Sequence, residues 1–340
     1  MGSTCRLVPR ARGYTRNKRS NAAGRMRPSM NERSSAEPEW GTFRGTWFVV
    51  PTPFRDDGSL DLDSLRRLVD AAIGWTIDGL TVMGLTSEAT ALSPQERTDA
   101  LATIVASVRG RVPIVVGCSE PTADEVVGLV DQAREVGAAG AMVAAPPLED
   151  EEELPGFYAE VAKRGELPLV VQDEPNATGV VMSSPVLLRS LEASGARTIK
   201  LEHPPTPLKI AALLAARPDL QIFGGLGGAF ALSELRRGAC GTMTGFAFPE
   251  IMTAVREAVE ADDLRAAGRL FDRYLPLIQV EAQPGYGVAI RKELLRRRGV
   301  FESARTRVPA PPVDAVTGRE LDELFERLEL TPTTDRIQLQ

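Results

Sequence analysis

Eight short apolar runs, spaced regularly along the chain, constrain its fold more than any other feature. The runs are rich in β-branched residues, as in Pro113–Val116, and amphipathic stretches separate them. Continuous apolar runs of this kind are typical of parallel strands that are buried on both faces. The predicted strands are Thr46–Val50, Gly79–Met83, Val112–Gly117, Ala139–Ala145, Leu167–Gln172, Thr198–Leu201, Gln221–Gly224 and Gly241–Gly245.

Eight strands that alternate with helices predict an α/β fold of the (β/α)8 (TIM) barrel class. A doubly wound open sheet is the alternative, but it usually has fewer strands and carries a glycine fingerprint after the first strand when it binds a dinucleotide. Here the first strand is followed by Pro51–Phe54, which contains no glycine, so the dinucleotide-binding fingerprint is absent at this position. The pattern therefore favours the barrel.

Helix-start signals stand between the predicted strands. Ser93–Glu96 and Thr122–Glu125 have the spacing of a capping box, and Gly137 is placed to end the second of these helices. Asp63 and Ser64 are expected to open an earlier helix. After Phe248 the strand pattern stops, and helical stretches follow near 249–260, 262–280, 285–299 and 317–328.

We divide the chain into a basic, disordered extension (1–40), the barrel (41–247), a C-terminal helical region (248–330) and a tail (331–340). Residues 1–36 carry nine Arg and Lys but one acid, Glu32, and have little aliphatic periodicity. This segment fits a transit peptide, a disordered tail, or a start codon assigned too early, with Met30 as the true start.

Composition excludes several functional classes. The net charge of −6 gives no general reason to expect nucleic acid as a partner, and no run approaches the length of a membrane helix. A single histidine, His203, argues against a multi-histidine metal site, so we predict no metal. Cys5, Cys118 and Cys240 form no disulfide framework, which fits a reducing, cytoplasmic location.

Catalytic groups of such barrels lie at the carboxyl ends of the strands, and Lys200 ends the sixth strand. A lysine at the end of a buried strand loses solvation, which favours the neutral amine that attacks a ketone. The alternative is a structural lysine paired with Glu202. The turn Gly84–Glu88 offers the hydroxyls of Thr86 and Ser87 and backbone N–H groups for a carboxylate, although Glu88 fits equally well as an N-terminal charge on a helix.

At these residues the chain resembles the dihydrodipicolinate synthase / N-acetylneuraminate lyase family, from about Gly45 to Leu328. Pro51–Phe54, the stretch Gly84–Ser93 and Lys200 match the family's motifs in order and spacing. The resemblance implies a barrel with a C-terminal helical region, often tetrameric, and a lysine that condenses with a 2-keto acid. It also implies that the turn after strand two holds the substrate carboxylate.

The departures from the family are informative. The family's strand-five tyrosine is replaced by Gln172, a second tyrosine by Leu148, the first hydroxyl of the strand-two motif by Leu85, and an arginine by Ala177. Genuine dihydrodipicolinate synthase activity is therefore not expected. The sequence is more similar to the 2-keto-3-deoxy-sugar-acid dehydratases, in particular the 2-keto-3-deoxy-L-arabonate dehydratases, which also lack that tyrosine.

The resemblance and the strand ends together give a set of expected roles. Lys200 forms the imine, Glu202 and Asp173 are candidate acid/base groups, and Gln172 donates a hydrogen bond in place of the tyrosine. The pleat puts Glu202 on the side of Lys200, although it could merely position the lysine. The expected substrate-binding residues are Thr86, Ser87, Gly84, Gly225 and Thr244.

We therefore expect a homo-oligomeric, cofactor-independent lyase, dimeric or tetrameric, that dehydrates a 2-keto-3-deoxy sugar acid. Two other functions stay open. The first is a pyruvate-dependent aldolase, which would use the same imine. The second is a non-catalytic ligand-binding barrel that has lost the tyrosine relay but kept Lys200.

Overall fold

The computed structural model describes residues 43–339, so the predicted extension at 1–40 lies outside the described residues. Eight strands close into one barrel in which each strand pairs in parallel with its neighbours in sequence, and β8 pairs with β1. The strands are β1 Gly45–Val49, β2 Gly79–Val82, β3 Ile114–Gly117, β4 Gly140–Ala144, β5 Leu169–Asp173, β6 Thr198–Leu201, β7 Gln221–Gly224 and β8 Gly241–Thr244. The predicted (β/α)8 barrel is confirmed.

Helices follow the strands and continue after the barrel. They are α1 Leu62–Gly74, α2 Pro94–Val108, α3 Ala123–Glu135, α4 Leu154–Gly165, α5 Pro175–Thr178, α6 Ser184–Ser194, α7 Thr206–Ala216, α8 Ala231–Leu235, α9 Pro249–Glu260, α10 Leu264–Glu281, α11 Gly287–Arg297 and α12 Ala315–Leu328. Among the described residues, no helix is both long enough and apolar enough to cross a membrane.

The helix-start predictions succeed twice and fail once. Ser93 and Thr122 both form complete capping boxes, and Gly137 follows α3 with a positive φ of 76°. The first helix begins earlier than predicted. Its cap is Asp61, whose carboxylate accepts hydrogen bonds from the backbone N–H groups of Asp63 and Ser64. Asp63 and Ser64, which were predicted to start the helix, lie in its first turn, and their backbone N–H groups bind the capping residue.

Side chains of the strands alternate between two faces, which we call the inner face (barrel interior) and the outer face (towards the helices). The inner face is marked by a separate apolar cluster: Phe43, Trp47, Val49, Val115, Ala139, Met142, Val170, Phe223 and Met243. The outer face, which includes Phe48 and Leu201, joins the larger core formed with the helices. Strand register therefore assigns every strand residue to one of the two faces.

The C-terminal helices pack onto the barrel through buried charge as well as apolar contacts. Arg298, which follows α11, is fully buried and binds the Glu250 carboxylate of α9, with Nη2 2.8 Å from Oε1. The predicted tail packs back here, since the N–H of Ile337 also donates to Glu250. Because α9 contacts β1 and β8, we propose that it completes the barrel and that the C-terminal region begins after it.

Candidate active site

Lys200 lies on the inner face near the carboxyl end of β6. Strand register pairs it with Gln172 of β5 and Phe223 of β7, and Phe223 belongs to the inner cluster. The side chain is 4% exposed, and its Nζ lies 3.0 Å from Oε2 of Glu202. The predicted pairing of Lys200 with Glu202 on one side of the strand is therefore present in the structure.

The carboxylate of Glu202 is held by three groups from three strand ends. Besides Lys200, Nε2 of Gln172 donates to Oε2 at 2.8 Å, and the N–H of Leu226 lies 3.3 Å from Oε1. Oε1 of Gln172 is buried and has no partner. Gln172 is thus a hydrogen-bond donor to Glu202, and its own oxygen is left without a partner.

Gly225 is required by the packing of Glu202. A Cβ built at Gly225 would lie 2.5 Å from Cδ of Glu202, which is closer than real Cβ contacts come. The backbone of the loop after β7 can therefore approach the carboxylate and donate from Leu226. Gly225, predicted as substrate-binding, lies beside the carboxylate of Glu202.

The turn after β2 brings one hydroxyl to the barrel mouth. Residues Leu85–Ser87 form a single 3-10 turn, and the Oγ of Ser87 is buried without a hydrogen-bond partner. A Cβ built at Gly84 would lie 3.8 Å from this oxygen and 3.6 Å from Val49 of the inner cluster. The side chain of Thr86 is exposed. Ser87 and Gly84 thus line the inner mouth, while Thr86 lies at its rim.

Glu88 links the turn after β2 to the C-terminal region. It adopts a left-handed backbone conformation (φ 59°), forms a buried ion pair with Lys292 of α11, and accepts from the N–H groups of Arg307 at 2.7 Å and Val308 at 3.0 Å. Burial lowers the pKa of Lys292 to about 8, against the opposing effect of Glu88. Glu88 therefore fixes the Ser87 turn to the C-terminal region and does not cap a helix.

Asp173 does not meet Lys200, contrary to the expectation from the strand end. Register pairs it with Leu201 on the outer face, and its Oδ2 lies 2.6 Å from Nζ of Lys209 on α7. Lys209 also donates to the carbonyl of Met182 at 2.7 Å, and Nδ1 of His203 lies 3.1 Å from the same nitrogen. Burial raises the pKa of Asp173, against the effect of Lys209. The position of Asp173 on the outer face, paired with Lys209, argues against the acid/base role that was expected for it.

Thr244 is likewise on the wrong face for substrate. It pairs in register with Phe48, and Phe48 packs in the core between strands and helices. Its Oγ1 accepts from the N–H of Phe246 at 3.3 Å. Thr244 was predicted to bind substrate from its place at a strand end, but alternate residues of a strand face away from the barrel interior.

Glu174 is a residue that strand-end reasoning missed. It follows β5 and lies two residues beyond Gln172, so alternation places it on the inner face. Its Oε2 is buried without a partner. Burial first, and then repulsion from Glu202, raise the pKa of Glu174 to about 7, and attraction to Lys200 opposes them. Side chains alternate between the two faces of a strand, so the inner position of Gln172 indicates Glu174, and not Asp173, as the next residue on the inner face.

Arg291 of α11 also reaches the barrel mouth. A Cβ built at Gly245, just after β8, would lie 2.7 Å from Nη1 of this arginine. The guanidinium is buried, its Nε lies 2.7 Å from Oε1 of Glu281, and its Nη1 has no partner. Burial raises the pKa of Glu281, and Arg291 counteracts the rise. No strand pattern could have indicated this contribution from the C-terminal region.

Metal ligands are not clustered in the part of the chain that the structure describes. Within residues 43–339 there is no group of three or more His, Cys, Asp or Glu side chains that could hold a metal ion. The inner-face polar groups described above are a lysine, two carboxyls, an amide and a hydroxyl. These groups can perform nucleophilic and acid/base chemistry.

Comparisons with known proteins agree with this geometry. The model of the dihydrodipicolinate synthetase family matches residues 42–328. An L-2-keto-3-deoxyarabonate dehydratase of Azospirillum brasilense is 35% identical over 296 residues, which cover 84% of this chain and 94% of the relative. A 4-hydroxy-tetrahydrodipicolinate synthase of Acidobacterium capsulatum is 30% identical over 86% of this chain and 99% of its own length.

Solved structures show the same relationship. The crystal structure of a dihydrodipicolinate synthase from Rhodopseudomonas palustris superposes with a TM-score of 0.80 and 32% identity, covering 84% of this chain and 97% of that one. The family model and these relatives span nearly all of the described residues. The chain therefore belongs to the dihydrodipicolinate synthetase family and is a Schiff-base-forming class I lyase.

Proposed function

We propose that this enzyme dehydrates a 2-keto-3-deoxy sugar acid through an imine on Lys200. The observation that carries the proposal is the inner-face cluster in which Lys200 meets Glu202 and Glu202 is oriented by Gln172. A dehydratase of 2-keto-3-deoxyarabonate is among the relatives, at 35% identity. The glutamine at the position of the family's tyrosine supports a dehydratase over a synthase.

In the proposed first step the amine of Lys200 attacks C2 of the substrate, and water leaves as the protonated imine forms. The amine must be neutral to attack, so the Lys200 proton has to pass to a nearby base. Glu202, with Oε2 at 3.0 Å, is placed to accept this proton and to return it to the departing hydroxyl, so that water leaves and Glu202 is ionised again. The protonated imine then withdraws electrons from C3 and makes its hydrogens acidic.

In the second step Glu202 removes a proton from C3. Gln172 and the N–H of Leu226 fix the two oxygens of Glu202, so its carboxylate stays oriented when Lys200 becomes part of the imine. An amide donates hydrogen bonds but does not titrate, so Gln172 orients the base without exchanging protons. The electron pair from C3 moves towards the imine nitrogen, and the C4 hydroxyl can then leave.

The substrate carboxylate would bind at the turn after β2. Ser87 offers a buried hydroxyl that has no other partner, and Gly84 leaves space beside it. Thr86, Gly225 and backbone N–H groups of the turns complete the proposed binding surface. Anchoring of this turn by Glu88 and Lys292 would keep the carboxylate site rigid.

An aldolase is the second candidate, because synthases are numerous among the relatives and the imine is common to both reactions. A product assay separates the two. With 2-keto-3-deoxy-L-arabonate, we expect loss of water and no free pyruvate. Release of pyruvate and an aldehyde at a comparable rate would instead assign a retro-aldol reaction.

We also propose a cytoplasmic homo-oligomer, either a dimer or a tetramer. The family resemblance supports the oligomer, and the free thiols of Cys118 and Cys240 support a reducing compartment. Light scattering coupled to size exclusion should give a mass of two or four chains. A single-chain mass at working concentration would contradict the oligomer.

A further inference from the structure

Resting on the proposed dehydratase function, we infer that Glu174 is the general acid that protonates the departing C4 hydroxyl. Glu202 then acts as the base at C3, and two separate carboxyls divide the elimination between them. Two features of Glu174 support this role: its position on the inner side of the barrel, and a buried oxygen that has no hydrogen-bond partner, unlike the oxygens of Glu202.

Strand alternation, continued one residue beyond β5 and β6, brings the two carboxyls to the same side of the mouth. Gln172 and Lys200 are paired inner-face residues of β5 and β6, and Glu174 and Glu202 each lie two residues further along their own chains. The strands are still joined at this level, since the N–H of Glu202 donates to the carbonyl of Asp173 at 2.9 Å. Glu174 is therefore the next inner neighbour of Glu202, above the Lys200 amine.

The two carboxyls differ in their hydrogen bonds. Glu202 has partners at both oxygens, whereas Oε2 of Glu174 is buried with none. A buried oxygen without a partner is costly unless the carboxyl is protonated or a ligand group occupies the site. A substrate hydroxyl next to this oxygen would satisfy it.

The surroundings of Glu174 leave its carboxyl partly protonated at neutral pH. The charged groups that face it are Lys200 near the end of β6, Glu202 just after that strand, and Asp173 at the end of β5, which is paired with Lys209. Burial and the two carboxylates raise the pKa of Glu174 to about 7, while Lys200 opposes the rise. Neighbouring carboxyls in unlike environments commonly divide acid and base roles in this way.

The protons and electron pairs of the elimination are all accounted for by the substrate, Lys200, Glu202 and Glu174. Glu202 takes the C3 proton, and the C3–H electron pair forms the enamine. The enamine pair then returns to make the C3–C4 double bond while the imine reforms. The C4–O pair leaves with the hydroxyl, Glu174 gives it a proton, and water departs. Glu174 ends ionised, Glu202 ends protonated, and no external reductant or oxidant is needed.

The test uses Glu174→Gln, which keeps the shape of the side chain but cannot give a proton. Glu234→Gln is the matched control. Glu234 is more deeply buried than Glu174, its pKa is also raised to about 7 by burial, and it accepts from Thr206 on the outer side of β7. Each variant and the wild type are assayed for borohydride trapping of pyruvate and for dehydration between pH 6 and pH 9.

We expect Glu174→Gln to trap pyruvate like the wild type but to dehydrate at least about 10²-fold more slowly. Wild-type turnover should fall as pH rises above about 7, because the proton donor is lost, and this fall should be absent from Glu174→Gln. Glu234→Gln should keep both the rate and the pH profile.

Turnover of Glu174→Gln within about fivefold of wild type would overturn the assignment. Loss of pyruvate trapping in that variant would also overturn it, since Glu174 would then act before the elimination. Failure of the wild type itself to trap any 2-keto acid would instead refute the proposed function, and the assignment would fall with it.

Discussion

A buried lysine–carboxylate pair lies on each face of the barrel near the ends of β5 and β6, and the two pairs differ in what surrounds them. On the inner face Lys200 lies 3.0 Å from Glu202, and on the outer side Lys209 lies 2.6 Å from Asp173. All four side chains are at most 10% exposed. Burial and ion pairing alone therefore do not distinguish a catalytic lysine from a structural one.

The groups that surround each ammonium distinguish Lys200 from Lys209. Lys209 has three neighbours for its three hydrogens, because Met182 and His203 join Asp173 around its nitrogen. Around Lys200, by contrast, Gln172 and Glu174 keep buried oxygens without partners, and Ser87 at the same mouth does too. On the outer side Oδ1 of Asp173 also lacks a partner, but the ammonium of Lys209 is enclosed by three groups, whereas Nζ of Lys200 lies among several unpartnered oxygens that a substrate could bind.

The sharpest test of this contrast replaces one lysine at a time. Lys200→Ala should reduce turnover by about 10⁴-fold or more, because no imine can form, while the melting temperature stays near that of wild type. Lys209→Met should still trap pyruvate but lose about 3–5 kcal/mol of unfolding free energy, since Asp173 would be buried unpaired. Steady-state kinetics and denaturant unfolding measure both. Wild-type-like turnover in Lys200→Ala would remove the proposed scheme.

The carboxylates give a second, smaller contrast. Glu202→Gln should lower turnover by about 10²-fold or more if it is the base. Asp173→Asn should leave the rate within about threefold of wild type and mainly weaken the fold, because it loses the charge partner of Lys209. The kinetic constants kcat and KM report the first effect. A loss below about fivefold in Glu202→Gln would leave that residue a positioning role only.

Two adjacent glycines provide the smallest contrast. A Cβ at Gly225 would meet Glu202, and one at Gly224 would lie 2.6 Å from Cδ of Glu234 on the outer side. Gly225→Ala should therefore slow turnover by about tenfold or more by displacing the base. Gly224→Ala should instead cost about 1–3 kcal/mol of stability. Equal activity losses in the two variants would contradict the division between the faces.

The sequence was sufficient to predict the barrel, because eight apolar runs, two capping boxes and the absence of a glycine fingerprint are local signals. It also identified Lys200, Glu202 and Gln172, which meet in the structure. It failed at Asp173 and Thr244, where nearness to a strand end outweighed the period-two alternation. That alternation was available in the sequence and would have selected Glu174.

Other parts of the site could not be predicted from sequence patterns near the strand ends. Lys292 and Arg291 lie on α11, far along the chain from the turn after β2 and the end of β8 that they contact. Helical periodicity shows which side of a helix is apolar, but it does not show which strand end a buried charge will meet. The same limit explains why the partner of Glu88, Lys292, could not be identified from the sequence.

The most direct measurement is peptide-mapped borohydride trapping of the wild-type enzyme with pyruvate and with 2-keto-3-deoxy-L-arabonate. Borohydride converts the imine into a stable secondary amine, so mass spectrometry of the digest locates the reacting lysine. We predict an adduct whose fragment ions locate it on Lys200, and none located on Lys209 or Lys292. An adduct on either of those two lysines, or no adduct with any 2-keto acid in the folded protein, would contradict it.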